Sequence, residues 1–185
     1  MSLTPSTMLP LGTIAPEFSL PDTVSGEVVA LSDLKSDIAT VIMFICNHCP
    51  YVVHVRDELV KLGNDYLGNN ISFVAISSND ADTHPDDAPD KMKALSSQLK
   101  FPFPYLYDES QAVAKAYHAA CTPDFYLFDK DLKLVYRGQL DDSRPGNSMP
   151  VTGVDLRDAL DAILGGRAVS SDQKPSVGCN IKWKS

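Results

Sequence analysis

The sequence predicts an α/β sandwich: a mixed central sheet flanked by helices, with a small β-hairpin extension near its start. Three observations carry this. Helix-like and strand-like patterns alternate along the chain. Val41–Ile45 and Ile71–Ser77 are nearly continuous apolar runs, as in strands buried on both faces. An antiparallel hairpin pattern then arrives late, where Phe125–Phe128 and Leu132–Arg137 flank Asp129-Lys130-Asp131.

Each element follows from local chemistry. Residues 1–15 read as a loose lead-in. Phe18–Leu20 and Val28–Leu31, separated by Pro21-Asp22 and Ser25-Gly26, form the expected hairpin, and Ser32-Asp33-Leu34 opens a short helical turn. After the strand at Val41, a helix runs from Pro50 to about Leu67. In it Val52, Val55, Leu59, Leu62 and Tyr66 recur at spacings of three and four. Gly68-Asn69-Asn70 stops that helix, and Ile71–Ser77 returns as a strand. Strand, helix and strand joined so briefly imply a right-handed parallel crossover.

Asn79–Asp90, rich in Asp and Pro, marks a solvated loop. Lys91–Leu99 is helical, Tyr105–Tyr107 a short strand, and Ser110–Ala119 a helix capped by Asp108 or Ser110. Asp141–Pro150 is a polar loop. Val154–Leu164 is the last helix, with Leu156, Leu160, Ile163 and Leu164 on one side and Gly165-Gly166 at its end. An irregular tail follows from about residue 167. The chain has no internal repeat, and its 185 residues and 20.1 kDa suit one domain, 1–185.

Composition narrows the function. A formal charge of −8 and a pI near 4.8 disfavour nucleic acid, because phosphate binding needs a basic face. No apolar run approaches the roughly 20 residues that cross a bilayer. Met1–Pro10 lacks the basic and apolar regions of a secretory signal. Four cysteines are too few for a secreted disulfide scaffold, so a reducing cytoplasm is expected.

Cys46-Asn47-His48-Cys49 is the stretch that carries chemistry. Its C-x-x-C spacing falls where a buried strand ends and a helix begins. A helix start offers unpaired N–H groups and partial positive charge, which lower a thiol's pKa. A second cysteine in reach makes a reversible two-electron switch. Cys46, nearer the loop and expected to be the more exposed, reads as the nucleophile, with Cys49 as the resolving thiol. A protonated His48 between them favours the thiolate and hence the reduced form, which raises the redox potential.

These residues resemble a known superfamily. C-x-x-C at a strand–helix junction, with Thr122-Pro123 opening the later hairpin, resembles the thioredoxin fold. Gly12-Thr13-Ile14-Ala15-Pro16-Glu17-Phe18 is similar to the opening of redoxins and peroxiredoxins, the alkyl hydroperoxide reductase and thiol-specific antioxidant group. With Cys121-Thr122-Pro123-Asp124-Phe125, Asp141–Asn147 and Gly178–Trp183, the chain resembles peroxiredoxin-like thioredoxin-family proteins called probable thiol-disulfide isomerases. The resemblance implies a cis bond at Pro123 and a substrate-facing backbone at Thr122. It also implies a redox potential above that of thioredoxin, as in protein disulfide isomerase, which likewise has His before its second cysteine. Two departures stand out. The Thr or Ser and the Pro of a peroxidatic signature are replaced by Cys46 and Ile42, and no buried carboxylate occurs from Thr40 to Ile45.

The reading is therefore a thiol-disulfide oxidoreductase working through Cys46, Cys49 and His48, with Thr122 and Pro123 against the substrate and no cofactor. Its partners are protein or small-molecule disulfides and thiols, with thioredoxin or glutathione as reductant. Thiol-dependent peroxide reduction is the alternative. A metal-binding reading from Cys46, Cys49 and His48 lacks a second C-x-x-C or H-x-x-x-H to complete a tetrahedron. By topology, Gly138–Asn147 should rim the site and bring Arg137 or Arg144 near the thiols. Cys121 reads as packing, whereas Cys179 either pairs with Cys121 or serves as a late resolving thiol.

Overall fold

The computed structural model describes residues 3–185; the start of the expected lead-in, residues 1 and 2, lies outside it. In chain order the elements are β1 (Leu3–Pro5), β2 (Ser19–Pro21), β3 (Val28–Ala30), α1 (Leu31–Leu34), β4 (Ala39–Phe44) and α2 (Pro50–Tyr66). β5 (Ile71–Ser77), α3 (Pro89–Leu99), β6 (Tyr105–Tyr107), α4 (Ala112–Ala116) and β7 (Cys121–Thr122) come next. β8 (Asp124–Asp129), β9 (Leu134–Gly138), α5 (Val154–Leu164) and β10 (Val177–Asn180) complete the chain. Among the described residues, no helix is long and apolar enough to cross a membrane.

The central sheet has the order β6-β5-β4-β8-β9. β4, β5 and β6 run parallel, while β8 and β9 are antiparallel to their neighbours. All six residues of β4 are buried, as its apolar run requires at the centre of a sheet. The two-residue period of a strand divides the core in two. Val41, Met43, Phe73, Phe125 and Leu127 pack with Val55, Leu59 and Leu62 of α2 and with Leu156 and Leu160 of α5. Ile42, Phe44, Val74, Tyr126 and Phe128 pack on the other face with Leu31, Leu34, Val113 and Tyr117. Each such apolar side chain gains about 1.5–3 kcal/mol on burial, so sliding β4 by one residue would exchange its two faces at large cost.

α2 starts at Pro50, whose missing N–H is harmless at the first helical position. It stops before Asn70, which takes a left-handed conformation at φ 56°. α4 is shorter than the expected Ser110–Ala119, because Gln111 has φ 63° and starts it late. The Asp108 carboxylate does the expected capping and accepts from the Val113 and Ala114 N–H groups at 3.4 and 2.9 Å. β2 and β3 pair antiparallel as the small hairpin extension.

The lead-in and tail depart from the loose segments expected. β1, β10 and β7 form a second, three-stranded sheet in which Leu3 faces Cys179 and Cys179 faces Thr122. These strands are two to four residues long and draw partners from opposite ends of the chain, so they leave no local periodic signal. Gly178 makes the contact possible, since a Cβ there would lie 1.9 Å from the Thr122 carbonyl oxygen. Gly178→Ala should therefore lower stability by about 1–3 kcal/mol, the usual range for overpacking. An unchanged urea midpoint would show that β10 does not lie against Thr122.

Candidate thiol site

β4 delivers the chain to the site and ends at Phe44. Cys46, Asn47 and His48 form a short loop, and Cys49 is the N-cap of α2, its carbonyl accepting from the Val52 and Val53 N–H groups. The expected difference in exposure between the two cysteines is absent: Cys46 is 1% and Cys49 0% exposed. The loop is short, and Thr122 closes over both sulfurs. Its hydroxyl lies 3.5 Å from Cys46 Sγ, and its carbonyl oxygen accepts from the Cys49 thiol at 3.3 Å. The Thr122–Pro123 bond is cis.

The nearness of the two thiols separates their proton affinities. Sharing its proton with Cys49 raises the Cys46 pKa, as do burial and the nearby charge of Asp87. Cys49 is lowered to about 4, chiefly because the Cys46 thiol donates to it; burial opposes this. Donation from Cys179, Thr122 and the Val52 N–H adds to the lowering. Cys49 is thus the more acidic thiol of the pair and Cys46 the less acidic. On ionising, Cys49 gives up its own donation to the Thr122 carbonyl.

His48 is tied to Asp87, a fully buried carboxylate in the segment expected to be solvated. Asn79, Asp80 and Asp87 of that segment are all buried. Asp87 accepts from the Asn47 N–H at 2.7 Å, the His48 N–H at 3.2 Å and Asn79 Nδ2 at 2.8 Å. It also meets His48 Nδ1 at 2.5 Å. The tautomer with its proton on Nδ1 is the one that can donate to this carboxylate. Four donors offset the cost of burying this charge. The His48 ring stacks on His84 at 5.3 Å, and Asn47 Oδ1 accepts from the Tyr105 hydroxyl at 3.0 Å.

Cys46, His48 and Asp87 each place a ligand atom within 4.8 Å of the others, the one such cluster among the described residues. The grouping differs from the sequence-based set, with Asp87 in place of Cys49. A metal there would have to displace donors that already satisfy Asp87, so the residues fit a proton-bearing dyad better than a metal site.

A second buried carboxylate, Asp124, follows the cis bond and lies opposite Phe44 of β4. Burial raises its pKa to about 8, although the Tyr126 hydroxyl and the Phe125 N–H donate to it. Its only sequence signal was one acidic residue at the head of an apolar strand.

The other two cysteines diverge. Cys121 is buried and its pKa is raised by that burial, its thiol reaching the Pro123 carbonyl at 3.9 Å. Cys179, 3% exposed, packs in the same apolar cluster as Cys46 and Cys49. Arg137 is engaged with the Leu9 carbonyl and Gln173, away from the thiols. Arg144 lines a crevice with Tyr51 and Pro123, but its guanidinium is held by Gln139 and by the Asp141 and Ser143 carbonyls. Asp141 fixes this rim loop by accepting from Ser143, Thr152 and Gly153 N–H groups. A cavity of about 340 Å³ between α5 and residues 168–174 contains none of the thiols.

Comparison with known proteins places the chain among thiol proteins of this shape. Residues 11–137 match the AhpC/TSA family. An uncharacterized conserved protein from Geobacillus kaustophilus is 64% identical, with a TM-score of 0.98 over 100% of this chain and 97% of that one. A hypothetical protein from Sinorhizobium meliloti 1021 is 49% identical, with a TM-score of 0.96 over 98% and 99%. The thioredoxin domain of a thiol-disulfide oxidoreductase from Bacteroides vulgatus is 20% identical, with a TM-score of 0.61 over 72% and 91%. That likeness shows a thioredoxin-like fold. No curated protein matches the sequence.

Two outcomes test these electrostatics. Thiolate absorbance of the reduced protein should fall in one step near pH 4, move to higher pH in Cys46→Ala and vanish in Cys49→Ser. A step that survives in Cys49→Ser would place the charge elsewhere. Asp124 binds a proton in the folded state up to about pH 8, whereas an unfolded Asp loses it near pH 4. Its contribution to stability therefore declines as pH rises between those values. Asp124→Asn should flatten this slope in pH-resolved urea melts; an unaltered slope would mean Asp124 is ionised in the native protein.

Proposed function

The chain belongs to the AhpC/TSA family, and on that premise we propose that it is a thiol-disulfide oxidoreductase cycling between a Cys46/Cys49 dithiol and their disulfide. The observation that carries the reading is the pair of buried cysteines at the start of α2, both in contact with Thr122 beside the cis bond to Pro123. The nucleophile is then Cys49, the more acidic of the two, in place of the Cys46 read from the sequence.

The Cys49 thiolate attacks one sulfur of a substrate disulfide RS–SR′. A bond forms between Cys49 Sγ and that sulfur, and R′S⁻ departs and is protonated. Cys46 then attacks Cys49 Sγ, its proton passes to the departing RS⁻, and the Cys46–Cys49 disulfide closes. The protein has lost two electrons and the substrate has become two thiols; run backwards, the cycle oxidises a dithiol. His48, oriented by Asp87, is the imidazole beside Cys46 and the group best placed to move its proton. Thr122 and Pro123 border the line of attack. The edge of Thr122 is already paired with β10, which favours compact disulfides over an extended peptide. A cytoplasmic thioredoxin or glutathione pool would return the disulfide to the dithiol.

The depth of the sulfurs favours a second reading, reduction of a peroxide, because a small oxidant needs the least opening. Cys49 would take one peroxide oxygen as a sulfenic acid and release water or an alcohol. Cys46 would then expel water to form the same disulfide.

Stopped-flow oxidation by oxidised glutathione and by hydrogen peroxide, run side by side, tests both. Disulfide exchange predicts rapid reaction with glutathione, slow reaction with peroxide and a potential above thioredoxin's, on the order of −200 mV. Rapid, saturable oxidation by peroxide would move the assignment to peroxide reduction. Undiminished exchange in Cys49→Ser would sink the assigned nucleophile in both.

A further inference from the structure

We propose that Cys179 is a second resolving thiol, so that Cys49 closes a disulfide with the C-terminal strand as well as with Cys46. The inference rests on Cys49 being the attacking thiolate, as argued above.

The geometry that carries it comes from β10. Antiparallel pairing sets Cys179 directly opposite Thr122, the residue whose carbonyl oxygen is in contact with Cys49 Sγ. Gly178 has no side chain to hold the two strands apart. The Cys179 side chain enters the apolar cluster beneath α2 that contains Cys46 and Cys49. β10 packs against α2, whose N-cap is Cys49, and so brings Cys179 to the start of that helix. The fourth cysteine, Cys121, is in the next register pair, opposite Asn180, and lies outside that cluster. Cys49 is thus flanked by two thiols, one from its own loop and one from the far end of the chain.

Two balanced steps follow. In the first, Cys179 Sγ attacks Cys49 Sγ of the mixed disulfide Cys49–S–S–R. The Cys49–Cys179 bond forms, the bond to R breaks, and RS⁻ leaves with the proton of Cys179. In the second, Cys179 attacks Cys49 of the closed Cys46–Cys49 disulfide. The disulfide moves to Cys49–Cys179, the Cys179 proton ends on Cys46, and no net oxidation occurs. Burial raises the Cys179 pKa to about 12, so it acts as a slower, proton-coupled partner beside Cys46. Once formed, the bond joins β10 to the head of α2.

The experiment is disulfide mapping after oxidation by oxidised glutathione, with thiols blocked before digestion by trypsin. Cleavage after Lys35 and Arg56 leaves Cys46 and Cys49 in one peptide, 36–56, while Cys179 falls in 168–182. Cys46→Ser should yield these two peptides crosslinked, whereas Cys46→Ser/Cys179→Ser should accumulate the Cys49–glutathione adduct, roughly tenfold above the single variant. Equal adduct in both variants, with no crosslink in Cys46→Ser, would overturn the proposal. If the Cys46 variants lose their fold, the wild-type digest decides. A crosslink that disappears in Cys179→Ser is expected, and only the bond internal to 36–56 would refute it. Wild-type protein that forms no internal disulfide would instead remove the thiol-disulfide function itself.

Discussion

Holding a negative charge on a sulfur that water does not reach costs several kcal/mol unless donors replace the lost hydration. At Cys49 the groups that lower the pKa come from four parts of the chain: the Cys46 thiol, Val52 of α2, Thr122 of β7 and Cys179 of β10. The arrangement sets what the surrounding elements must do. β4 has to be central and buried to deliver the loop, α2 must begin immediately after Cys49, and the chain at Thr122–Pro123 must approach close enough to touch both sulfurs.

The second constraint is the neighbouring carboxylate. Asp87 lies close enough to Cys46 to disfavour a thiolate there, and so helps push the charge to Cys49. It is held in its buried place by Asn47, His48 and Asn79, whose bonds to it also anchor the loop and orient the imidazole. The same residue therefore shapes the loop, orients His48 and biases the thiol pair.

Protection and reactivity are balanced by the small sheet of β1, β10 and β7. It covers the thiols and occupies the edge of Thr122, which leaves little room for an extended partner. The same covering brings Cys179 to Cys49. The covering of the thiols and the placing of Cys179 are thus coupled through one strand of four residues.

Much was legible in the chain itself. Apolar runs with their two-residue period specified β4, β5 and β8, helical spacing specified α2 and α5, and C-x-x-C at a strand–helix junction located the thiols. These are local patterns, written in neighbouring residues. Which sulfur bears the charge was not written there, since it follows from donors that arrive from β7, β10 and α2 and from the carboxylate in the segment 79–90. Asp87 and Asp124 look like ordinary acidic residues until folding buries them, and Cys179 stands in a tail with no periodic signal. Their roles belong to tertiary structure alone, because a thiol's proton affinity is set by the groups within a few ångströms in space, and those come from residues far apart along the chain.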